Sequence, residues 1–237
     1  MVIAALMAGG SGSRMGCTDV PKQFITLADA PILVHTVRRF LDCPEVNKTV
    51  IMSPAQWVPF TKELLEKYFP DSGGRLYVTE GGKTRNETLE KSVEFIREKF
   101  SPARDSVILT HDAVRPFVTR RMITENIAAA EEYGACNTVV PATDTITVSR
   151  DGRFIDDTPD RSLLFHSQTP QSFRLGDYSE IISGLPREER EKMTDACMVF
   201  TSAGKRVFMV RGEQTNIKIT YPGDLAVAEA ILKGFEY

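Results

Sequence analysis

The sequence predicts an α/β fold, a largely parallel sheet with helices on both faces. Two observations carry that expectation. As far as Ala142, apolar β-branched runs alternate with segments of helical period, the pattern of successive βαβ units. A glycine cluster, Gly9, Gly10, Gly12 and Gly16, also follows directly on the first apolar run, where such sheets bind ligands. The size agrees: 237 residues, 42% apolar and 26% charged, are those of an ordinary globular chain. A chain of this length buries roughly 70–75% of the surface that its unfolded form exposes.

The first strand is read at Val2–Ala8, and the first helix at Ile32–Leu41, after the glycine loop. A second strand falls at Thr49–Ser53, before a helix in which Phe60, Leu64, Leu65 and Tyr68 recur at helical spacing. The third strand is Leu76–Thr79. The next helix starts at Thr84, because TRNE sets Glu87 three residues on, as in a capping box, ahead of the stripe Leu89, Val93 and Ile96. Val107–Thr110 reads as a buried strand running into Asp112, Met122–Tyr133 as a helix, and Asn137–Ala142 as the last strand of the series. From Thr143 to Phe173 the texture changes. The pieces ITVS and RFID flank Asp151-Gly152, which predicts a β-hairpin arm projecting from the sheet. Helices around Tyr178–Gly184 and Met193–Ala203, a strand at Val207–Val210 and a helix at Asp224–Lys233 follow.

Composition excludes several functions. Lys and Arg number 29 against 32 Asp and Glu, a net charge of -3, so no global field favours nucleic acid or an anionic membrane. Cys17, Cys43, Cys136 and Cys197 form no CxxC pair, which argues against a zinc site or disulfide framework and for a reducing cytoplasm. The start, MVIAALMAGG, has no basic segment before its short apolar run, so no secretory leader is expected. No stretch approaches the roughly 20 apolar residues of a membrane span.

Three places carry candidate chemistry. The loop AGGSGSRMG, Ala8 to Gly16, lets backbone amides approach phosphate oxygens. It lacks the GxxxxGK[ST] of a Walker loop and the third glycine of a dinucleotide fingerprint. Arg14 within it and Lys22 in PKQF supply charge for a triphosphate. In THDAVRPF, Asp112 stands at the carboxyl end of a buried strand, where it suits Mg²⁺ or a ribose hydroxyl unless it caps a helix, and Arg115 suits a second anionic group. In NIKIT, read as an alternating strand, Lys218 stands in apolar surroundings and invites a phosphate. His35, His111 and His166 have no metal-ligand spacing. His111 and Asp112, adjacent on a strand, should point to opposite faces. Neither a GxSxG elbow nor an activated cysteine stands out, and Trp57 is read as core.

Together these segments resemble the CTP-dependent cytidylyltransferases that activate sugar-alcohol phosphates, the family of methylerythritol-phosphate and ribitol-5-phosphate cytidylyltransferases. AGGSGSRMG, PKQF, EGGKTRNET, THDAVRPF, DTI, QTPQSF, TDAC and GEQTNIKIT occur in order along the chain. The resemblance implies one Rossmann-like nucleotidyltransferase domain over residues 1–237, with a dimerisation arm at 143–173. It implies catalytic roles for Arg14, Lys22 and Lys218, and nucleotide contacts from Ala8, Gly9, Gly10, Gly12, Ser13, Gly82, Arg85, Thr88, Asp112 and Ala113. It implies Mg²⁺ at Asp112, and polyol-phosphate contacts from Arg115, Thr145, Arg161 and Thr194, with Thr145 and Arg161 reaching a second subunit's site in a homodimer. Lys83 stands where the family often has an acidic residue. The implied substrates are CTP and a polyol phosphate. Asp144-Thr145 is followed by Ile146, Thr147 and Val148 rather than basic residues, which favours ribitol 5-phosphate over methylerythritol 4-phosphate. The chemistry is consistent with the absence of a catalytic histidine: a phosphate monoester, with its second pKa near ~6, is already a nucleophilic dianion at neutral pH. An NAD-dependent oxidoreductase would need an acidic residue closing the second strand, which instead ends in Ser-Pro. A nucleotide sensor without activity would be expected to lack Arg14, Lys22 or Asp112.

Overall fold

A seven-stranded sheet and eight α-helices are seen among the residues described by this computed structural model, which are 1–10, 15, 20–193 and 195–234, besides a two-strand hairpin near the amino terminus and three short 3-10 turns. In chain order the elements are β1 (Val2–Met7), β2 (Thr26–Leu27), β3 (Ala30–Pro31), α1 (Ile32–Leu41), β4 (Lys48–Ser53), α2 (Val58–Tyr68) and β5 (Leu76–Glu80). They continue with α3 (Arg85–Phe100), β6 (Val107–Asp112), α4 (Arg120–Tyr133), β7 (Ala135–Pro141) and β8 (Phe165–Arg174). The chain then forms α5 (Leu175–Gly184), α6 (Arg187–Glu191), α7 (Ala196–Ser202), β9 (Phe208–Arg211) and α8 (Pro222–Gly234). The main sheet has the order β5-β4-β1-β6-β8-β7-β9. Each neighbouring pair is parallel except those made by β8, which runs antiparallel to both β6 and β7.

Strand β1 shows why both faces are covered. Its even residues, Val2, Ala4 and Leu6, join a core with Leu33, Val37 and Phe40 of α1 and Met122 and Ile127 of α4. Its odd residues, Ile3 and Ala5, join the other core, with Leu89, Val93 and Ile96 of α3 and Tyr178 and Phe200. Apolar residues at consecutive positions are what a strand buried on both sides requires. A third cluster, Leu27, Ile32, Val114, Phe117, Ile219 and Ala228, ties α8 and the β2–β3 hairpin to the segment after β6. Helix α3 starts as TRNE predicts: Thr84 accepts the Glu87 amide at 3.1 Å, and the Glu87 carboxylate accepts the Lys83 amide at 2.8 Å.

Three expectations are corrected. The arm is shorter than 143–173, because Phe165–Arg174 is β8, a strand of the main sheet. The remaining 143–164 is not a laddered hairpin: Val148 and Asp157 make its one bridge, and the turn is held by Asp151, whose carboxylate accepts the Arg153 and Phe154 amides. NIKIT is not a strand. Residues 213–220 run as an irregular segment fastened by the Ile219 amide to the Val114 carbonyl at 3.0 Å. Trp57 is only half-buried, packed at the margin of the first core against Phe24 and Phe60.

Candidate active site

The chain builds β1, β4 and β5 toward one edge of the sheet and then returns to place β6 on the other side of β1. Met7 and Asp112 are register partners at the carboxyl ends of β1 and β6. This is the switch point where open α/β sheets form a crevice. A cavity of about 410 Å³ opens there, lined by Ala8, Gly9, Gly10, Lys22, Gly82, Arg85, Thr88, Asp112 and Lys218, with Gln23, Lys83 and Thr84 beside them.

Its floor is a charge cluster. The Asp112 carboxylate, nearly buried at 4% exposure, meets Arg85 Nη1 on Oδ1, and Arg115 Nε at 3.2 Å and Lys218 Nζ at 3.0 Å on Oδ2. Burial alone would raise its pKa. The Arg85, Lys218 and Arg115 charges outweigh burial and hold the carboxyl well below the usual carboxylate range. Lys22 is itself buried and donates to the Ile219 carbonyl at 3.0 Å, which brings its ammonium to the cavity wall. Gln23 Nε2 donates to the Ala8 carbonyl at 2.6 Å and so fixes the start of the glycine loop.

The opposite wall is the amino end of α3. Thr88 Oγ1 donates to the Thr84 carbonyl at 2.7 Å and accepts the Gly82 amide at 3.0 Å. Gly82 has no room for a side chain, since a Cβ there would lie 2.5 Å from Glu87 Cβ. Glycine is required here by close backbone approach.

The structure thus gathers nine of the predicted residues: Ala8, Gly9, Gly10, Lys22, Gly82, Arg85, Thr88, Asp112 and Lys218. Four others do not line the cavity. Ala113 is buried, with its amide donating to Met7 and its carbonyl accepting the Thr36 hydroxyl. Arg115 is turned inward, its side chain 11% exposed, bridging Asp112 and the Asn216 carbonyl. Thr145 and Arg161 lie on the exposed arm, where Arg161 Nη1 donates to the Thr143 carbonyl at 2.8 Å. Gly12, Ser13, Arg14 and Thr194 lie outside the described residues. Asp112 caps no helix; Thr119 does that for α4. Reading the sequence missed Gln23, although PKQF contains it, and also Thr84, whose role as a cap drew attention from its place in the wall.

The described histidines and cysteines line no part of the cavity. His111 bonds Thr169 and Arg115 rather than Asp112, and His35 Nε2 lies 2.8 Å from the Leu27 carbonyl. Burial pushes the Cys136 thiol up to about 12, and burial with the adjacent Glu45 carboxylate pushes Cys43 up to about 11, so neither is an activated nucleophile. Among the described residues no helix is long and apolar enough to cross a membrane, and no group of three or more His, Cys, Asp or Glu is placed to hold a metal by itself.

The family described as IspD: 2-C-methyl-D-erythritol 4-phosphate cytidylyltransferase matches residues 2–234. The chain belongs to this family. As a family member it is a nucleotidyltransferase. It is 42% identical over 233 residues to the ribitol-5-phosphate cytidylyltransferase of Streptococcus pneumoniae serotype 19F (strain G54), covering 98% of this chain and 99% of that protein. Among solved structures it resembles the 4-diphosphocytidyl-2C-methyl-D-erythritol synthase of Anaerococcus prevotii DSM 20548, at TM-score 0.80 and 26% identity over 98% of this chain and 96% of that one. The 2-C-methyl-D-erythritol 4-phosphate cytidylyltransferase of Thermus thermophilus gives TM-score 0.75 at 26% identity, over 98% and 100%. The single Rossmann-like nucleotidyltransferase fold expected from the motifs is the fold observed.

Proposed function

We propose that this cytidylyltransferase transfers CMP from CTP to D-ribitol 5-phosphate, giving CDP-ribitol and pyrophosphate. The observation that carries the choice of alcohol is the near full-length 42% identity to a ribitol-5-phosphate enzyme, against 26% to methylerythritol-phosphate enzymes of known structure. The run Ile146, Thr147, Val148 after Asp144-Thr145 supports the same reading. The family match itself favours methylerythritol 4-phosphate as the second reading.

The cavity suits the reaction. A substrate phosphate oxygen attacks the α-phosphorus of CTP, the bond from that phosphorus to the bridging oxygen breaks, and pyrophosphate leaves with the electron pair. The chain's task is alignment and positive charge against the transition state. Lys22, bonded to the Ile219 carbonyl, and Lys218, bonded to Asp112, supply that charge, and Arg14 is assigned with them. Arg85 stands at the amino end of α3, and the Gly82 backbone with Thr88 forms the wall that receives the nucleoside. The donor set fits Mg²⁺: Asp112 is the one carboxylate among the described lining residues, and Mg²⁺ characteristically takes one or two carboxylates together with substrate phosphates. When bound, the ion would neutralise phosphate charge and orient the triphosphate.

The arm supports a homodimer. Phe154, Ile155 and Leu163 are 73%, 68% and 75% exposed on it, an apolar surface that a monomer has no use for. Thr145 and Arg161, outside the lining of their own cavity, are then available to a partner's polyol phosphate. Buried free thiols fit a reducing compartment, and we place the enzyme in the cytoplasm, supplying polyol-phosphate polymer synthesis. Pyrophosphate release with CTP and Mg²⁺ tests the reading, comparing ribitol 5-phosphate with methylerythritol 4-phosphate at equal concentration. Turnover with the first alone is expected; turnover with the second alone would transfer the protein to isoprenoid-precursor chemistry.

A further inference from the structure

Behind the Asp112 carboxylate lies a closed polar ring whose His111 and Thr169 line no part of the cavity. The Asp112 amide donates to Thr169 Oγ1 at 3.1 Å, Thr169 Oγ1 lies 3.0 Å from His111 Nδ1, and His111 Nε2 lies 3.0 Å from the Arg115 carbonyl oxygen. A carbonyl oxygen only accepts, so Nε2 bears the imidazole proton. His111 is fully buried and its ring nitrogens meet a hydroxyl and a carbonyl rather than a carboxylate, so the ring carries the one proton on Nε2 and Nδ1 is left as an acceptor. The Thr169 hydroxyl must then donate to Nδ1 while its oxygen accepts the Asp112 amide. Each proton in the ring has one place to go.

The ring is joined to the Lys218 segment. Asn216 Nδ2 donates to the Thr169 carbonyl at 3.0 Å and to Gln168 Oε1 at 3.1 Å, while Arg115 Nη1 donates to the Asn216 carbonyl at 2.8 Å. Gln168 Nε2 donates to the Glu213 carbonyl at 2.9 Å. On the other side of Lys218, the Ile219 amide is held by Val114. Lys218 therefore sits between two anchored residues, and both anchors lead back to the turn from His111 to Arg115. His111 and Thr169 are 0% and 3% exposed.

From this geometry we infer that His111 and Thr169 are positioning residues for CMP transfer: a neutral imidazole and a hydroxyl that fix the Asp112 carboxylate and, through Asn216, the Lys218 ammonium. A packing role would need only their shape. The positioning role needs the hydroxyl proton and the Nε2–H tautomer. The inference rests on the transferase reading of the cavity, not on which polyol phosphate is used.

The test pairs Thr169→Val, which keeps shape and removes the hydroxyl, with Thr169→Ser, which restores it. Misplacement of reacting groups by about 1 Å can cost on the order of 100-fold. Thr169→Val is expected to lower kcat by about 10-fold or more while KM for CTP stays within about 2-fold, because the glycine loop and Gly82 wall are untouched. Thr169→Ser is expected to recover kcat to within about 3-fold of the wild type. Independently of activity, nitrogen NMR of the wild-type His111 ring should show a protonated Nε2 and an unprotonated, hydrogen-bonded Nδ1. Full kcat in Thr169→Val, equal losses in Val and Ser variants, or a protonated Nδ1 would each overturn the inference. If the wild type proved silent with both polyol phosphates, the reaction reading would fall while the nitrogen spectrum still judged the ring. If the Val variant does not fold, the Ser variant and the spectrum decide.

Discussion

Acidification should weaken this fold through a single buried imidazole. His111 has an ordinary pKa of 6.5, pushed down to about 4 in the folded chain. Burial is the main cause. The Arg115 carbonyl and the Asp112 charge oppose it, and the Arg115 and Arg85 charges add to it. The unfolded chain therefore takes up a proton as the pH falls through 6.5, and the native chain does so only near 4. The native state's advantage is intact above 6.5 and is lost progressively between 6.5 and 4. The difference of about 2.5 units, at 1.36 kcal/mol each, amounts to about 3 kcal/mol, a large share of a typical ~5–15 kcal/mol stability. Carboxylates held low by partners lose their contribution at more acid pH. The Glu45 carboxylate, pulled to about 2 chiefly by its Arg120 hydrogen bond, is one, so the histidine window stands apart. Urea unfolding at several pH values in this window, for the wild type and His111→Gln, measures the effect. The variant will be less stable at neutrality but should lose less on acidification. Parallel curves for the two proteins, or a His111 resonance titrating near its ordinary value, would refute the reasoning.

Other outcomes follow from the cavity and the arm. Gly82→Ala places a Cβ 2.5 Å from Glu87 Cβ, so the wall must shift; a rise in KM for CTP and a loss of about 1–3 kcal/mol in unfolding free energy are expected. Lys218→Met and Lys22→Met should each lower kcat by at least about 100-fold with little change in thermal midpoint, read by pyrophosphate release alongside calorimetry. Arg161→Ala should raise KM for the polyol phosphate and spare that for CTP; equal losses would contradict the arm's role. Leu163→Asp, at a site 75% exposed, should convert a dimer to monomers in light scattering without unfolding the chain.

The parts legible in the sequence were those that depend on near neighbours. The ends of β1, β4 and β6 were placed within a residue or two because apolar runs broken by glycine or proline are local signals, and the start of α3 was fixed by Thr84 and Glu87. The cavity's glycine and lysine residues were found for the same reason. Strand β8 was not. Buried on both faces over this stretch, it carries Gln168, Thr169, Gln171 and Ser172, whose polarity reads as loop. Those groups are satisfied from far along the chain: the Thr110 hydroxyl donates to the Gln171 carbonyl, and the Ser172 hydroxyl to Asn126. No spacing rule reveals bonds that span tens of residues. NIKIT failed in the opposite sense, since its alternating isoleucines mimic a strand while its amides close local turns on Glu213 and Thr215 or reach the Val114 carbonyl and the Asp224 carboxylate, with no strand alongside. The inward turn of Arg115 was likewise hidden, because its acceptor is 101 positions away.

The way the arm is planted has an evolutionary consequence. It leaves at Pro141 and re-enters at Phe165, which face each other across β7 and β8, and the Ala142 amide bonds the Leu164 carbonyl just outside the sheet. Its two feet stay neighbours whatever lies between them. Doubling the length of such a loop costs only about 0.6 kcal/mol in closure entropy. Residues 143–164 can therefore be lengthened, trimmed or replaced wholesale with little disturbance to the nucleotide cavity. Descendants of one scaffold can diverge at the arm while inheriting the same catalytic floor.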